Sequence, residues 1–301
     1  MVSILLPAYK SSYLKDAIES VINQTYQDWE LIIVNDKSPH PIEDIVVNYL
    51  TDPRVHYYIN EENIGKKDLV ANWNKCLSYA QGEYFALICD DDLYKPTFLE
   101  EMVLLAKKYN SCDVFRAGVE IINSEKKIID YYPTSPEWES CEDYMWHVFR
   151  GYRCQTITEW FYRTDTIRKL GGFYSLPLAW YSDFLSIFIF SQNNGIASNP
   201  KHLVCFRMSG ENITSQKELY ADRKMEASLI FEHKVKDIIK RNSIVNKEMI
   251  DALLKKYLRQ KRTFTLTTCK WHDLIKIIRN HKRYTIDKKM IIKSIIARFI
   301  I

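Results

Sequence analysis

The 301-residue sequence predicts an α/β protein with a Rossmann-like, mixed and mostly parallel central sheet flanked by helices, followed by a C-terminal helical extension. Three observations predict it. Short apolar runs alternate with amphipathic stretches from Val2 to Cys89, the β-α-β-α order of a parallel sheet with right-handed crossovers. Each run ends in a polar loop: Pro7-Ala-Tyr9, Asn35-Asp36, Asn63-Ile-Gly65 and Asp90-Asp-Asp92. Parallel strands gather such ends at one sheet edge, where open α/β folds bind ligands. Charge is also divided. Residues 1–216 hold 20 Lys+Arg against 29 Asp+Glu, a balance of −9, whereas residues 217–301 hold 22 against 9, a balance of +13. The split predicts a compact catalytic domain over 1–216 and a basic helical extension over 217–301 with its own partner.

Val2 to Leu6 is an apolar strand ending at Pro7. Ser11 or Ser12 can cap the next helix, whose stripe is Leu14, Ile18, Val21 and Ile22. Trp29 to Val34 is the second strand, and a helix over 41–50 carries Ile42, Ile45, Val46 and Tyr49 on one face. Val55 to Ile59 is the third strand and Glu61 to Gly65 a turn. Residues 67–80 are helical through Leu69, Val70, Trp73 and Leu77. Tyr84 to Cys89 is the fourth strand, and Pro96 suits the first turn of a helix continued by Phe98, Leu99, Met102, Val103 and Leu105. Beyond residue 110, Asp113 to Ile122 alternates as a strand, 131–139 reads as a loop and 141–150 as a helix. Gln155 to Tyr162 is a strand, Phe184 to Phe190 an apolar helix, and Leu203 to Arg207 a last strand before a polar loop reaching Ser215.

Composition removes several classes. Only 8 Gly are present, which disfavours a glycine-rich nucleotide loop. The 7 Cys form no C-x-x-C pair and an odd total, so neither a disulfide framework nor a zinc site is expected, and a reducing compartment fits. The first residues lack the pattern of a signal peptide, and no run of about 18 apolar residues is present to span a membrane.

The stretch Tyr84 to Pro96 organises the chain. Three adjacent carboxylates, Asp90, Asp91 and Asp92, repel one another unless a cation or water compensates. Two readings stand: a divalent ion held by carboxylates and substrate phosphates, or an acidic turn capping the next helix. Asp183, taken alone, reads as the cap of the apolar helix behind it, Arg207 as a surface ion pair and Asp36-Lys-Ser as a turn.

Taken together and in order, the motifs resemble family 2 glycosyltransferases, the inverting nucleotide-sugar enzymes of the GT-A fold. The matching segments are Ser3-Ile-Leu-Leu-Pro-Ala-Tyr9, Ser20-Val-Ile-Asn-Gln-Thr-Tyr26, Trp29 to Ser38, Asn63-Ile-Gly65 and Gly82 to Asp92. Leu170-Gly-Gly-Phe173, Trp180-Tyr-Ser-Asp183 and Phe206 to Asn212 continue the series. The resemblance spans 1–216 and does not cover the tail. It implies a nucleotide-binding set of Pro7, Ala8, Tyr9, Asp36, Asn63, Gly65, Lys67, Asp90 and Arg207, with Asp36 accepting from the base and Arg207 helping with the diphosphate. Aligning on Leu93 and Pro96 makes Asp91 the metal ligand for Mn²⁺ or Mg²⁺ and Asp92 its helper; a one-residue slip gives Asp90 and Asp92 instead. Asp183 matches the general base, and Gly172 and Trp180 lie on the acceptor side. Cys89, Ser182 and Ser209 stand where the family usually has Asp, an acidic residue and His.

The resemblance implies transfer of a sugar from a nucleotide-sugar donor, UDP-linked in the usual pattern, to a glycan or lipid-linked acceptor in polysaccharide assembly. One carboxylate serves the metal and a separate one the acceptor proton. A nucleotidyltransferase and a catalytically inactive nucleotide- or sugar-binding module are the alternatives; nucleic acid is not an expected partner. The tail, ending in Lys288 to Ile301, is basic and strongly apolar. It suits peripheral association with the inner face of the cell membrane from the cytoplasm, packing on the catalytic domain, or a contact between two copies of the chain.

Overall fold

The computed structural model describes residues 1–210, 218–241 and 244–298. The expected end of the polar loop at Ser215, with Glu211 and Asn212 of the last motif, the boundary at 216/217 and the terminal Phe299 to Ile301 lie outside the described residues.

The strands are β1 (Val2–Ala8), β2 (Trp29–Asn35), β3 (Val55–Ile59), β4 (Tyr84–Leu87), β5 (Leu93–Tyr94), β6 (Val114–Ile122), β7 (Ile128–Tyr131), β8 (Trp138–Glu139), β9 (Trp160–Arg163) and β10 (Ile196–Arg207). The helices are α1 (Leu14–Ile22), α2 (Ile42–Val46), α3 (Leu69–Tyr79), α4 (Phe98–Lys108), α5 (Cys141–Arg150), α6 (Thr164–Lys169), α7 (Ser182–Phe190), α8 (Ala221–Arg241), α9 (Lys247–Thr268), α10 (Trp271–Arg279) and α11 (Lys288–Ala297). Two 3₁₀ turns, Val47–Tyr49 and Pro177–Ala179, complete them.

All strands join one mixed sheet in the order β3-β2-β1-β4-β9-β6-β10-β5, with β7 on β6 and β8 on β10. The long ladders, β1–β2, β1–β4, β2–β3 and β6–β10, are parallel. Antiparallel pairing enters through short strands, chiefly β9 wedged between β4 and β6. Strand alternation divides the apolar side chains between two faces. Leu5, Ile32, Val34, Phe85 and Leu87 pack with α3, α5 and α7 on one face. Ile4, Leu6, Leu31, Ile33 and Ala86 pack with α1 and α4 on the other. The first core also takes in Phe231 and Val235 of α8 and Leu254, Tyr257 and Leu258 of α9. The basic tail is therefore packed on this face of the sheet through its first two helices. Helices α10 and α11 add a small cluster of their own around Leu266, Leu274, Ile277 and Met290. Among the described residues no helix is long and apolar enough to cross a membrane.

Local expectations depart from the structure where side chains compete with the ladder. Ser11 and Ser12 do not cap α1; Tyr13 takes the cap position without a side-chain bond, and its ring instead lies 4.1 Å from the Arg207 guanidinium. The strand expected from Gln155 begins only at Trp160. Before it, Thr156 N–H donates to Glu159 and Thr158 N–H to the Thr156 hydroxyl, so local bonds replace strand pairing. The loop expected over 131–139 contains β8, whose Trp138 and Glu139 pair with Ala197 and Ile196.

Candidate active site

The loops after β1, β4 and β10 meet through carboxylates, and the Ser38 hydroxyl of the β2 loop donates to the Tyr9 carbonyl beside them. Asp90 Oδ2 accepts from the backbone N–H of Tyr9 at 2.9 Å and of Lys10 at 2.6 Å, tying the β4 loop to the β1 loop. Asp92 accepts on both oxygens, from Arg207 N–H at 3.0 Å and from the Thr158 hydroxyl at 2.5 Å. Asp91 Oδ2 accepts from Lys10 Nζ at 2.5 Å and from the Ser209 hydroxyl at 3.3 Å. All three carboxylates are buried, and Asp92 is 0% exposed. Burial and the charge of Asp91 push the Asp92 carboxyl up to about 7. Burial also raises Asp90, against the pull of Lys10. The triplet caps no helix, because β5 intervenes and the cap of α4 is Thr97.

The group that could hold a cation is Cys89, Asp91 and Asp92, whose ligand atoms lie within 4.8 Å of one another. Burial drives the Cys89 thiol well above its usual range, so its sulfur stays protonated and the hard oxygen donors are the two carboxylates. One or two carboxylates beside substrate phosphates is the donor set Mg²⁺ or Mn²⁺ takes, so these residues fit such an ion.

Asp36 organises the second loop. Its carboxylate accepts from Ile64 N–H at 2.8 Å, Gly65 N–H at 2.7 Å and the Asn60 amide at 2.8 Å, and the residue is 3% exposed. A Cβ at Gly65 would stand 2.7 Å from Asp36 Oδ2, so the contact requires glycine. Asn63 shapes the same turn by accepting from Lys66 N–H, and Lys67 pairs with Glu62 at the surface. Pro7 and Ala8 lie in β1 beside Val34 and Asn35, and Tyr9 is exposed at the strand's end.

Arg207 sits inside the protein at 0% exposure. Its Nε donates to the Asp91 carbonyl at 2.8 Å, Nη1 to the Ser124 carbonyl at 3.1 Å, and Nη2 meets Asp16 at 3.2 Å. These contacts make Arg207 a strut for the backbone of the acidic loop.

Asp183 lies in the first turn of α7, two residues after the cap position, Tyr181. It is therefore not the helix cap. Burial raises its pKa, while the Gln155 side chain and the N–H groups of Phe184 and of its own residue hold it down. Its charge reaches Tyr144, Tyr162, Tyr181 and Tyr257. Leu178, Ala179 and Tyr181 all have positive φ, at 63°, 55° and 68°, so a strained segment leads into Asp183. The Ser182 hydroxyl pins it by accepting from Leu176 N–H at 2.9 Å, and the Ser186 hydroxyl accepts from Tyr174 N–H. Gly172, at φ +77°, has no room for a Cβ against the Asn74 amide, which brackets Phe173 on both backbone groups. Trp180 is half-buried, with the Lys224 ammonium 4.8 Å from its ring.

The 151–159 loop connects these parts. Thr158 bonds Asp92, Gln155 stands by Asp183 and accepts from the Tyr144 hydroxyl, and Glu159 pairs with buried Arg116 at 2.6 Å. Arg116 also donates to the carbonyl of exposed Cys154. Sequence reasoning missed Lys10, Gln155, Thr158 and the Arg116–Glu159 pair. Lys10 carried a signal, as a basic residue directly after Tyr9 at a strand end; the others had none, because their partners are distant in sequence.

Comparison with known proteins agrees with this arrangement. The model of the family described as Glycosyl transferase family 2 matches residues 3–169. TuaG of Bacillus subtilis strain 168, named as a teichuronic acid biosynthesis glycosyltransferase, is 32% identical over 159 residues, covering 52% of this chain and 61% of that protein. The chain thus spans about three fifths of that relative's length. An uncharacterized glycosyltransferase of Haemophilus influenzae is 26% identical over 230 residues, covering 71% of this chain and 68% of the relative. Among solved structures, S. aureus TarS 1–349 in complex with UDP-GlcNAc matches 98% of this chain and 79% of its own at a TM-score of 0.69 and 16% identity. The same TarS fragment with UDP gives a TM-score of 0.64, covering 86% and 71% of the two chains at 16% identity. At such identities the likeness shows the GT-A fold.

Proposed function

The chain belongs to glycosyl transferase family 2, and from that premise we propose that it transfers a sugar, with inversion, from a UDP-linked donor to a glycan or lipid-linked acceptor of the cell envelope. The observation that carries this reading is the set of carboxylate ties at the strand ends, with Asp90 and Asp92 joining the β4 loop to the β1 loop and the end of β10, and Asp36 joining the β2 loop to the turn at Gly65. The TarS complexes support UDP as the nucleotide, and TuaG supports surface-polysaccharide assembly.

In the proposed reaction Asp183 removes the proton of an acceptor hydroxyl as its oxygen bonds the anomeric carbon. The bond from that carbon to the phosphate oxygen breaks on the opposite face, and the electron pair leaves with the nucleoside diphosphate. A divalent cation on Asp91 and Asp92 would neutralise charge developing on the terminal phosphate. The raised pKa of Asp183 makes it the stronger base. Pro7, Ala8, Tyr9, Asn63, Gly65 and Lys67 surround the nucleotide, while Gly172 and Trp180 form the acceptor side. Asp36 and Arg207 act by holding the loops. A nucleotidyltransferase would need a glycine-rich, basic first loop to grip a triphosphate, and Pro7-Ala-Tyr9 offers neither glycine nor a basic residue. Titrating UDP and UDP-sugars by thermal shift, with and without Mn²⁺, tests the proposal; no shift with any of them defeats it. Turnover that persists in Asp183→Asn would exclude the base assignment, and no turnover in the parent would leave a binding module.

We further place the enzyme at the inner face of the membrane. Trp271 and Ile275 of α10 and Ile292 and Ile296 of α11 are about half exposed, and Arg298 lies 4.8 Å from the Trp271 ring, linking the two helices. Lys288, Lys289 and Lys293 on α11 complement anionic lipid. Ile292→Glu/Ile296→Glu leaves buried Met290 in place and is expected to abolish co-sedimentation with vesicles containing anionic lipid. Unchanged sedimentation would remove the membrane from the account.

A further inference from the structure

Lys10 is the one residue of the first loop whose side chain enters the acidic cluster. Its backbone N–H is fixed on Asp90 Oδ2, and its ammonium lies 2.5 Å from Asp91 Oδ2 and 3.4 Å from Asp90 Oδ1. Asp92 has both oxygens engaged by uncharged donors, so Asp91 is the ligand with capacity to spare, and Lys10 sits on it. An ammonium and a divalent cation on one carboxylate repel each other, and in a buried site that repulsion disfavours holding both at Asp91. The same ammonium, on a flexible four-carbon stem, can turn to a phosphate oxygen without moving its backbone.

We propose that Lys10 is a positioning residue that exchanges with the metal: it holds Asp91 in the empty enzyme, then yields that carboxylate to the cation and turns to the diphosphate of the donor. The inference rests on the sugar-transfer reading and adds an order to it. Metal alone binds weakly, since it must displace a salt bridge. Metal with nucleotide binds well, since the diphosphate supplies a new partner for the ammonium. Coupling of this kind is reciprocal, so Mn²⁺ strengthens UDP binding by the factor by which UDP strengthens Mn²⁺ binding.

Mn²⁺ affinity, read from the free-ion paramagnetic resonance signal, tests this with and without UDP in the full chain. Lys10→Met is expected to bind Mn²⁺ alone at least tenfold more tightly than the parent, and UDP is expected to improve its Mn²⁺ affinity by a smaller factor. Lys10→Arg, which keeps the charge, is expected to stay close to the parent; Lys10→Gln replaces Lys10→Met should the latter not melt cooperatively. A merely structural lysine would leave Mn²⁺ affinity unchanged or weaker on removal. That result, with UDP-sugar binding intact in the parent, overturns the exchange and spares the transfer reading. Failure of parent and variants alike to bind any UDP-sugar with Mn²⁺ overturns both.

Discussion

At Asp183, the proposed base, burial favours the neutral carboxyl, so the ionised form accumulates only above the ordinary carboxylate range of about 3.9. The acid limb of kcat/KM is therefore expected above that range, rising with pH. The same shift has a stability sign. A folded-state pKa above the unfolded one stabilises the fold below the unfolded value, and that contribution is lost as pH rises through the folded value. Asp183→Asn removes the buried charge, so at pH 8 its Tm is expected to equal or exceed the parent's while turnover falls about 10²- to 10⁴-fold. A second residue, Gly65, is fixed by contact. Gly65→Ala puts a methyl against Asp36, and a cost of about 1–3 kcal/mol in urea denaturation is expected, with weakened UDP binding. The acidic residues themselves were legible in the sequence, because Asp36, Asp91 and Asp183 sit in short motifs. Their partners were not. Thr158 reaches Asp92 across 66 positions and Arg207 reaches it across 115, and no local pattern reports such a contact.

The segment from Leu176 to Asp183 is the element on which the proposed base depends. Non-glycine residues in the left-handed region cost about 1–2 kcal/mol each, and Leu178, Ala179 and Tyr181 all adopt it. Ser182 holds this shape by accepting from Leu176 N–H, both residues being buried. Ser182→Ala leaves that N–H without its acceptor and is expected to lower stability by about 1–3 kcal/mol in urea, with a fall in kcat as Asp183 loses its support. None of this was readable beforehand, since no Gly or Asn marks the positive φ values. The regular elements were readable because their apolar residues fall in runs or stripes. The unbroken apolar runs of β1, β2 and β4, buried on both faces of the sheet, and the stripes of α1, α3 and α4 correspond to what packs in the two cores. The short β5, β7 and β8 escaped because strands of two to four residues carry too little pattern.

For the molecule as a whole, the charge boundary near 216 does not coincide with a boundary in the core. Phe231, Val235, Leu254 and Tyr257 of the basic part pack with Tyr144, Phe149 and Phe188 of the acidic part. A fragment ending at residue 216 would expose that face, at roughly 25 cal/mol per Å² of apolar surface. It is expected to lose cooperative melting in calorimetry rather than behave as an independent catalytic domain. The sequence showed the tail to be helical and basic, but charge is a surface property, and packing is decided by the buried stripe. One consequence lies in the thiols. Of the seven cysteines only Cys154 is exposed, and it belongs to the loop whose Gln155 and Thr158 stand beside Asp183 and Asp92. A maleimide fluorophore would thus attach chiefly at one position, turning the native chain, without any engineering, into an optical reporter on that loop.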